Sequence, residues 1–159
     1  MLEISIKNVL EHLRQTNHDA QIQAETQQVV CILHLAGRDF PLFVKVDADE
    51  RVLQILIFMP CMMGPRSTAE VGRLLHFLNK ELDLPGFGMD ETAGVIFYRC
   101  VLPTSDGKVD INLFDSIMVS IPRLAQVFFP VIAAVANGTP FEAIVGQVRD
   151  VLKRFAQRS

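Results

Sequence analysis

The sequence predicts an α+β fold in which an antiparallel sheet packs against helices. Between residues 20 and 59, apolar residues alternate with polar ones or form uninterrupted β-branched runs, as strands do. The connections at 36–39 and 47–50 are short and turn-rich, which permits hairpins and excludes crossover helices. Strands and helices are therefore segregated along the chain, which distinguishes this class from parallel α/β folds.

The N-terminal region is predicted to form one helix followed by a meander of strands. The helix covers residues 2–16, and Asn17 is expected to end it. Its apolar side consists of Ile6, Val9, Leu10 and Leu13. The strands of the meander are predicted at residues 21–23, 29–35, 40–46 and 52–59.

A second helix is predicted to begin near Thr68. Ser67 and Glu70 have the spacing of a capping box, in which two side chains satisfy backbone N–H groups at a helix start. The buried stripe of this helix consists of Val71, Leu74, Leu75, Leu78 and Leu82. The Leu-Pro-Gly sequence at 84–86 ends the helix, and two strands joined as a hairpin follow at 87–90 and 95–102.

A third, long helix is predicted from Asp110, its expected N-cap, to Val135. Asn137 and the following glycine provide a stop signal. Pro122 and Pro130 are expected to bend or divide this helix, because proline lacks the backbone N–H group of a helical hydrogen bond.

No membrane span and no signal peptide are expected. Glu3 and the polar residues after it interrupt the apolar run that a signal peptide needs. Residues 117–135 approach the length of a membrane span, but they include Arg123, Gln126 and two prolines, which are unfavourable in lipid.

The last helix is predicted over residues 140–156, and a second capping-box pattern, Thr139 to Glu142, marks its start. Its apolar stripe is the candidate partner-binding surface and consists of Phe141, Ile144, Val145, Val148, Val151, Leu152 and Phe155. Because this helix has its own capping box and lies beyond Gly138, we expect it to be the element that the fold most easily spares for a partner.

Composition predicts one domain over residues 1–159, since a chain of this length buries roughly two-thirds of its unfolded surface. Lysine and arginine number 15 and aspartate and glutamate 18, which gives a net charge of −3. A nucleic-acid partner is not expected, because the sequence lacks a basic stripe to neutralise phosphates. Cys31, Cys61 and Cys100 fit neither a disulfide framework nor a zinc motif, and they indicate reduced thiols in a cytoplasmic protein.

The sequence motifs of common enzyme classes do not occur. The sequence contains neither the nucleophile elbow G-x-S-x-G nor a P-loop, and its four histidines lack the spacing of a metal-binding helix. His12 and His76 are expected at the surfaces or edges of helices, and His34 is expected to face outward from a strand. We therefore expect no catalytic histidine and no enzyme of these classes.

Two further clusters are interpreted as structural. Met59, Cys61, Met62 and Met63 have the ligand types of a soft-metal site, but an apolar strand end filled by methionine is the interpretation we favour. Acidic residues are grouped in predicted turns, where their side chains bond to local backbone: Asp47, Asp49 and Glu50, and Asp90 and Glu91. No catalytic, cofactor-binding or metal-binding residue is therefore expected.

The order of motifs from residue 52 to 109 is similar to a known family. An apolar strand ends in Met59-Pro60, a helix closes with Leu78-Asn79, and Asp90 precedes a strand that ends in Arg99. This order resembles the YbjN-like family. That family in turn looks like the type III secretion chaperone fold, a helix–sheet–helix sandwich that commonly dimerises. The additional C-terminal helix, 140–156, departs from the chaperone pattern.

The resemblance implies a non-enzymatic cytoplasmic protein, chaperone-like or regulatory, and it supplies no catalytic residues. The first hypothesis is therefore a protein-binding module that acts through an apolar surface. Its partner is a secreted effector or a regulatory protein, and it forms a homodimer. The alternative is a small-molecule binder or enzyme with a site between helix and sheet. An enclosed cavity with converging polar groups favours the alternative, and a shallow apolar surface favours the first hypothesis.

Overall fold

The computed structural model describes residues 1–47, 49 and 51–158. These residues form four helices and eight strands. In chain order the elements are β1 (Leu2–Glu3), α1 (Ile6–Gln15), β2 (Ala20–Gln23), β3 (Gln28–Leu35), β4 (Arg38–Val46), β5 (Val52–Met62), α2 (Thr68–Glu81), β6 (Phe87–Asp90), β7 (Val95–Pro103), β8 (Lys108–Val109), α3 (Ile111–Ala136) and α4 (Phe141–Gln157). The turn predicted at 47–50 includes Ala48 and Glu50, which lie outside the described residues.

The main sheet has the strand order β2-β3-β4-β5-β7-β6. Its registers β2–β3, β3–β4, β4–β5 and β6–β7 are antiparallel, so the predicted α+β fold with an antiparallel sheet is confirmed. A second, two-stranded sheet pairs β1 with β8. The sequence analysis placed Leu2–Glu3 in the first helix, which is wrong, because the Ser5 hydroxyl accepts a hydrogen bond from the Asn8 backbone and starts α1 at Ile6.

The described residues cluster into two compact units, and each unit is built from two stretches of chain. Unit 1 comprises Met1–Phe58 and Arg99–Pro122, and unit 2 comprises Met59–Tyr98 and the residues from Arg123 onward. Strands β5 and β7 and helix α3 contribute residues to both units. The single domain over 1–159 stays a prediction.

Unit 1 buries one face of its strands. Alternate strand residues point to this face and are fully buried, among them Val29, Leu42, Val44, Ile55 and Ile57. Helix α1 packs against β2, β3 and β4 and contributes its own buried residues, Val9 and Leu13. The period-2 pattern of the strands and the helical stripe of α1 therefore explain the core of this unit.

Unit 2 is organised around α2, which packs against β6 and α4. The predicted stripe residues Leu74, Leu75 and Leu78 are buried. The Asn79 side chain accepts hydrogen bonds from the backbone of Gly86 and Phe87 and donates one to the Phe87 carbonyl at 2.8 Å. The Leu78-Asn79 motif thus fixes the chain where it passes from α2 into β6.

Neither predicted capping box forms. Ser67 is the N-cap of α2 and Pro140 that of α4, and neither makes a side-chain capping hydrogen bond. Instead, a Glu70 carboxylate oxygen accepts a hydrogen bond from the backbone N–H of Phe141 at 2.8 Å. Glu70 therefore caps α4 from a different helix, where its charge also favours the positive end of the helix dipole.

Helix α3 is continuous, so Pro122 and Pro130 do not divide it, and the alternative that they bend it stays a prediction. Asp110 caps its start as predicted, since Asp110 Oδ1 accepts a hydrogen bond from the Leu113 backbone. The helix passes through Pro122 and Pro130 without interruption. Burial of apolar side chains on either side of each proline, such as Leu124 and Phe128, outweighs the cost of about 3 kcal/mol that proline imposes.

Candidate functional site

The structure divides the predicted partner-binding stripe of α4 into two groups. Phe141, Ile144 and Val148 are buried within the chain itself, at 6%, 6% and 0% exposure. The remaining residues of the stripe are half-buried: Val145, Val151, Leu152 and Phe155. The first group therefore joins α4 to its own fold, and the second group provides the apolar area that stays accessible.

The start of α4 is held by contacts to α2. In addition to the cap from Glu70, the Arg73 guanidinium lies 3.2 Å from a Glu142 carboxylate oxygen and 4.9 Å from the centre of the Phe141 ring. The rings of Phe77 and Phe141 pack at 5.5 Å. The expectation that α4 is a separate, easily spared element rested on the capping box that does not form, and these contacts make α4 part of unit 2.

A groove of about 330 Å³ lies between α3 and α4 in unit 2. We call it the arginine groove, and its lining residues are Arg123, Val127, Pro130, Val131, Gln147, Val151, Arg154, Phe155 and Arg158. Valine, proline and phenylalanine side chains provide its apolar surface. Of the described residues that line it, none has a carboxylate side chain.

Arg123 is positioned by two contacts with Phe155. Its guanidinium lies 4.5 Å from the centre of the Phe155 ring and donates a hydrogen bond to the Phe155 carbonyl at 3.3 Å. The Phe155 ring also packs on Phe128 at 5.4 Å. The sequence did not predict a role for Arg123 in this site, because the periodicity of α4 contains no information on which residue of α3 lies beside it.

A second apolar surface lies in unit 1, on the face of the strands opposite the core. We call it the open sheet face and define it by Val30, Ile32, Phe43, Leu56 and Phe58. Val30, Phe43 and Leu56 pair in one row across β3, β4 and β5. Ile32 is 41% exposed, and the rings of Phe43 and Phe58 pack edge to face at 5.7 Å.

The buried thiols are unsuited to nucleophilic chemistry. Burial, with a smaller effect of the nearby Asp19 carboxylate, raises the pKa of Cys31 from 9.0 to about 11. Burial also raises the pKa of Cys100. Both thiols are therefore protonated near neutral pH, whereas a reactive cysteine requires the thiolate.

His12 is buried, so its predicted place at the surface or edge of a helix is wrong. Its Nε2 lies 2.6 Å from a carboxylate oxygen of Asp115, and its ring packs edge to face on Phe114 at 5.7 Å. The pair joins α1 to the first half of α3 within unit 1. His76 and His34 are exposed as predicted, and the His34 ring is hydrogen-bonded through Nδ1 to the Asp39 carboxylate.

The clusters that the sequence analysis assigned to packing and turns have structural roles. Met59 and Met63 are buried, as expected for methionine at an apolar strand end, whereas Met62 is 62% exposed. Asp90 Oδ1 accepts hydrogen bonds from the backbone of Thr92 and Ala93, as expected in a turn. In the part of the chain that the structure describes, no three metal-ligating His, Cys, Asp or Glu side chains come together.

Helix α3 is the one element among the described residues that is long and apolar enough to cross a membrane, with a mean hydropathy of 1.7. Half of its most apolar stretch is buried inside the chain. Its buried side chains include Phe114 and Ile121 in unit 1 and Phe128 and Ile132 in unit 2. This burial is typical of a core helix, which passes the same test of length and composition.

Comparison with solved structures identifies the fold. A chain from the crystal structure of the ExsC-ExsE complex is similar to this one, with a TM-score of 0.57 and 11% sequence identity. The alignment covers 80% of this chain and 92% of the other. The predicted fold of type III secretion chaperones is therefore confirmed. At this identity the likeness concerns the fold alone.

Comparison with protein families identifies the relationship in sequence. No curated protein matches this chain at a significant level. The sequence model of the YbjN family, described as "Putative bacterial sensory transduction regulator", matches residues 5–134. This match ends within α3 and does not reach α4. Because it includes well over half of the sequence, the chain belongs to the YbjN family.

Proposed function

We propose that this protein is a non-enzymatic, cytoplasmic protein-binding module, chaperone-like or regulatory, and that its partner docks at the arginine groove. The observation that carries this proposal is the half-buried apolar surface of Val127, Val151 and Phe155, which lies beside the arginines that line the same groove. Apolar surface beside polar residues is typical of protein interaction sites. The partner is a secreted effector or a regulatory protein.

The comparisons support a role in protein contacts. The family is described as a sensory transduction regulator, and the similar fold was solved as a complex of two proteins. The alternative of a small-molecule or enzyme site between helix and sheet is less well supported. The pocket between α2 and β6 is wide open to solvent, and Thr68 and Glu91 are the polar side chains among its described lining residues. The raised pKa values of Cys31 and Cys100 also argue against catalysis by these two buried thiols.

The proposal includes a homodimer that forms through the open sheet face. Its central row of Val30, Phe43 and Leu56 is apolar, and Lys45 lies in the adjacent part of β4. A surface of this kind can meet a second copy of itself about a twofold axis, because apolar groups complement one another and do not repel. The partner site in unit 2 would then be present once in each copy.

Site-specific photo-crosslinking in the producing cell tests the partner site. A benzoylphenylalanine at Val151 is expected to form an adduct with one defined protein, identified by mass spectrometry. Benzoylphenylalanine at His76, which is exposed on α2 and does not line the groove, serves as the matched control. Identical adducts at both positions, or no adduct at Val151, would contradict the proposal.

A binding measurement with the purified partner is the second test. Val151→Asn is expected to weaken binding about tenfold, because it places a polar group in the apolar floor of the groove.

A further inference from the structure

We propose that the arginine groove selects an acidic amphipathic segment of the partner protein. In this arrangement the apolar side chains of the segment occupy the floor formed by Val127, Val151 and Phe155, and its carboxylates pair with the groove arginines. The inference rests on the proposed function and names the chemistry of the partner.

The charge around the groove is opposite to that of the whole chain. Arg123, Arg154 and Arg158 line it, and no carboxylate side chain is found among its described lining residues. The complete sequence nevertheless has a net charge of −3. A local concentration of positive charge on an acidic protein favours a ligand of negative charge at this groove.

The arginines come from both walls of the groove. Arg154 and Arg158 are four residues apart near the end of α4, so they lie on the same side of that helix. Basic residues are common in the last turn of a helix, where they complement its dipole. That explanation does not apply to Arg123, which lies in the interior of α3 and is held by Phe155.

The size and lining of the groove fit side chains of a protein segment. A volume of about 330 Å³ is at the low end of the range for pockets that enclose a whole small molecule. Arginine is the side chain best suited to bind carboxylates in a planar, two-point geometry. Acidic residues one helical turn apart on an amphipathic helix would match the spacing of Arg154 and Arg158.

Three synthetic peptides test this inference on the full chain. They share the same apolar residues in an amphipathic helical pattern and have glutamate, glutamine or lysine at every polar position. Titration of the ¹⁵N-labelled protein, followed by NMR, is expected to rank glutamate over glutamine over lysine, with about tenfold between the extremes. The net charge of the chain alone predicts the opposite order. The shifted amides should include those of Val127 and Val151.

Charge reversal identifies the residues responsible. The double variant R154E/R158E is expected to lose the preference for the glutamate peptide. Lys153 is exposed on the same helix and lies outside the groove, so Lys153→Glu is the control. This control should change the affinity for the glutamate peptide less than about twofold. The inference would be overturned by equal binding of all three peptides or by a preference for the lysine peptide. Binding of the fatty acid decanoate in place of the peptides would also overturn it.

The two proposals can fail separately. If Val151→Asn weakens binding of the crosslinked partner but R154E/R158E does not, the groove binds a protein and the inferred acidic chemistry is wrong. If neither change affects that partner, the proposed function itself is wrong.

Discussion

The open sheet face of unit 1 and the arginine groove of unit 2 are both apolar, but they differ in charge. The open sheet face has uncharged central residues, such as Ile32 and Phe43, on three adjacent strands. The arginine groove has an apolar floor with arginines on both walls. Surfaces with similar apolar residues are therefore suited to different partners.

The difference in charge is the reason why the proposed dimer is assigned to the open sheet face and not to the arginine groove. In a twofold dimer the same patch contributes from both subunits, so a patch with charge of one sign would face equal charge. Like charges brought together in an interface cost several kcal/mol. The arginine groove is therefore suited to a partner of opposite charge, and the open sheet face is suited to self-association.

The largest expected effect comes from disrupting the buried side of α4, the helix that forms one wall of the arginine groove. Val148 is fully buried on α4, and Val148→Asp would place an unpaired charge in the core of unit 2. We expect a loss of about 3–5 kcal/mol in the free energy of unfolding, measured by urea denaturation. Lys153→Asp, on the exposed side of the same helix, is the control and should change stability by less than about 0.5 kcal/mol. Equal stability of the two variants would mean that α4 is not part of the core.

The second prediction concerns self-association. Ile32→Glu places a charge on each of the two copies at the open sheet face, where Ile32 is 41% exposed. The dimer dissociation constant should rise by about 100-fold, measured by analytical ultracentrifugation. Folding stability of the monomer should change little, because the residue does not belong to the core. A wild-type chain that stays monomeric at tens of micromolar would exclude the dimer.

The third prediction concerns Cys31, on the buried side of β3, and the pH dependence of folding stability. Cys31 is buried next to the exposed Ile32, and its pKa of about 11 exceeds the ordinary value of 9.0. The folded state therefore holds the thiol proton more tightly than the unfolded state. The resulting stabilisation is present below pH 9 and is lost as the pH rises to about 11, by roughly 2–3 kcal/mol. Denaturation of Cys31→Ala over the same pH range should lack this part of the decrease; parallel curves would contradict it.

The smallest effect concerns the cap that joins α2 to α4. Glu70→Ala removes the acceptor for the Phe141 backbone N–H group and should cost about 1 kcal/mol in unfolding experiments. Glu142→Ala removes only an exposed ion pair with Arg73 and should cost less than about 0.5 kcal/mol. If Glu142→Ala costs as much as Glu70→Ala, the interaction between α2 and α4 depends on surface charge instead of the cap.

Local sequence patterns predicted most elements of this fold. The starts and ends of α2, α4, β6 and β7 lie within a few residues of the predicted positions, because they follow hydrophobic period and turn residues. Asp110 capped its helix as expected because its hydrogen bond to the Leu113 backbone spans only three residues. Features of this kind depend on neighbours in sequence and can be predicted from it.

Interactions between distant segments could not be predicted in the same way. The Glu70 side chain bonds to Phe141, 71 residues away, although its local spacing matches a capping box. The pairing of β1 with β8 and the contact of His12 with Asp115 also join distant parts of the chain. The same limit applies to the candidate site. The stripe of α4 was identified from its period, but its division into buried and accessible residues depends on what packs against it.

The central claim, that the two surfaces bind different partners independently, is tested by measuring both interactions on both variants. Dimer dissociation by analytical ultracentrifugation and glutamate-peptide affinity by NMR would be determined for Ile32→Glu and for R154E/R158E. The account predicts that Ile32→Glu raises the dimer dissociation constant by about 100-fold and retains peptide affinity within about twofold, and that R154E/R158E retains the dimer and lowers the affinity for the glutamate peptide. Loss of both interactions in either folded variant would contradict the account.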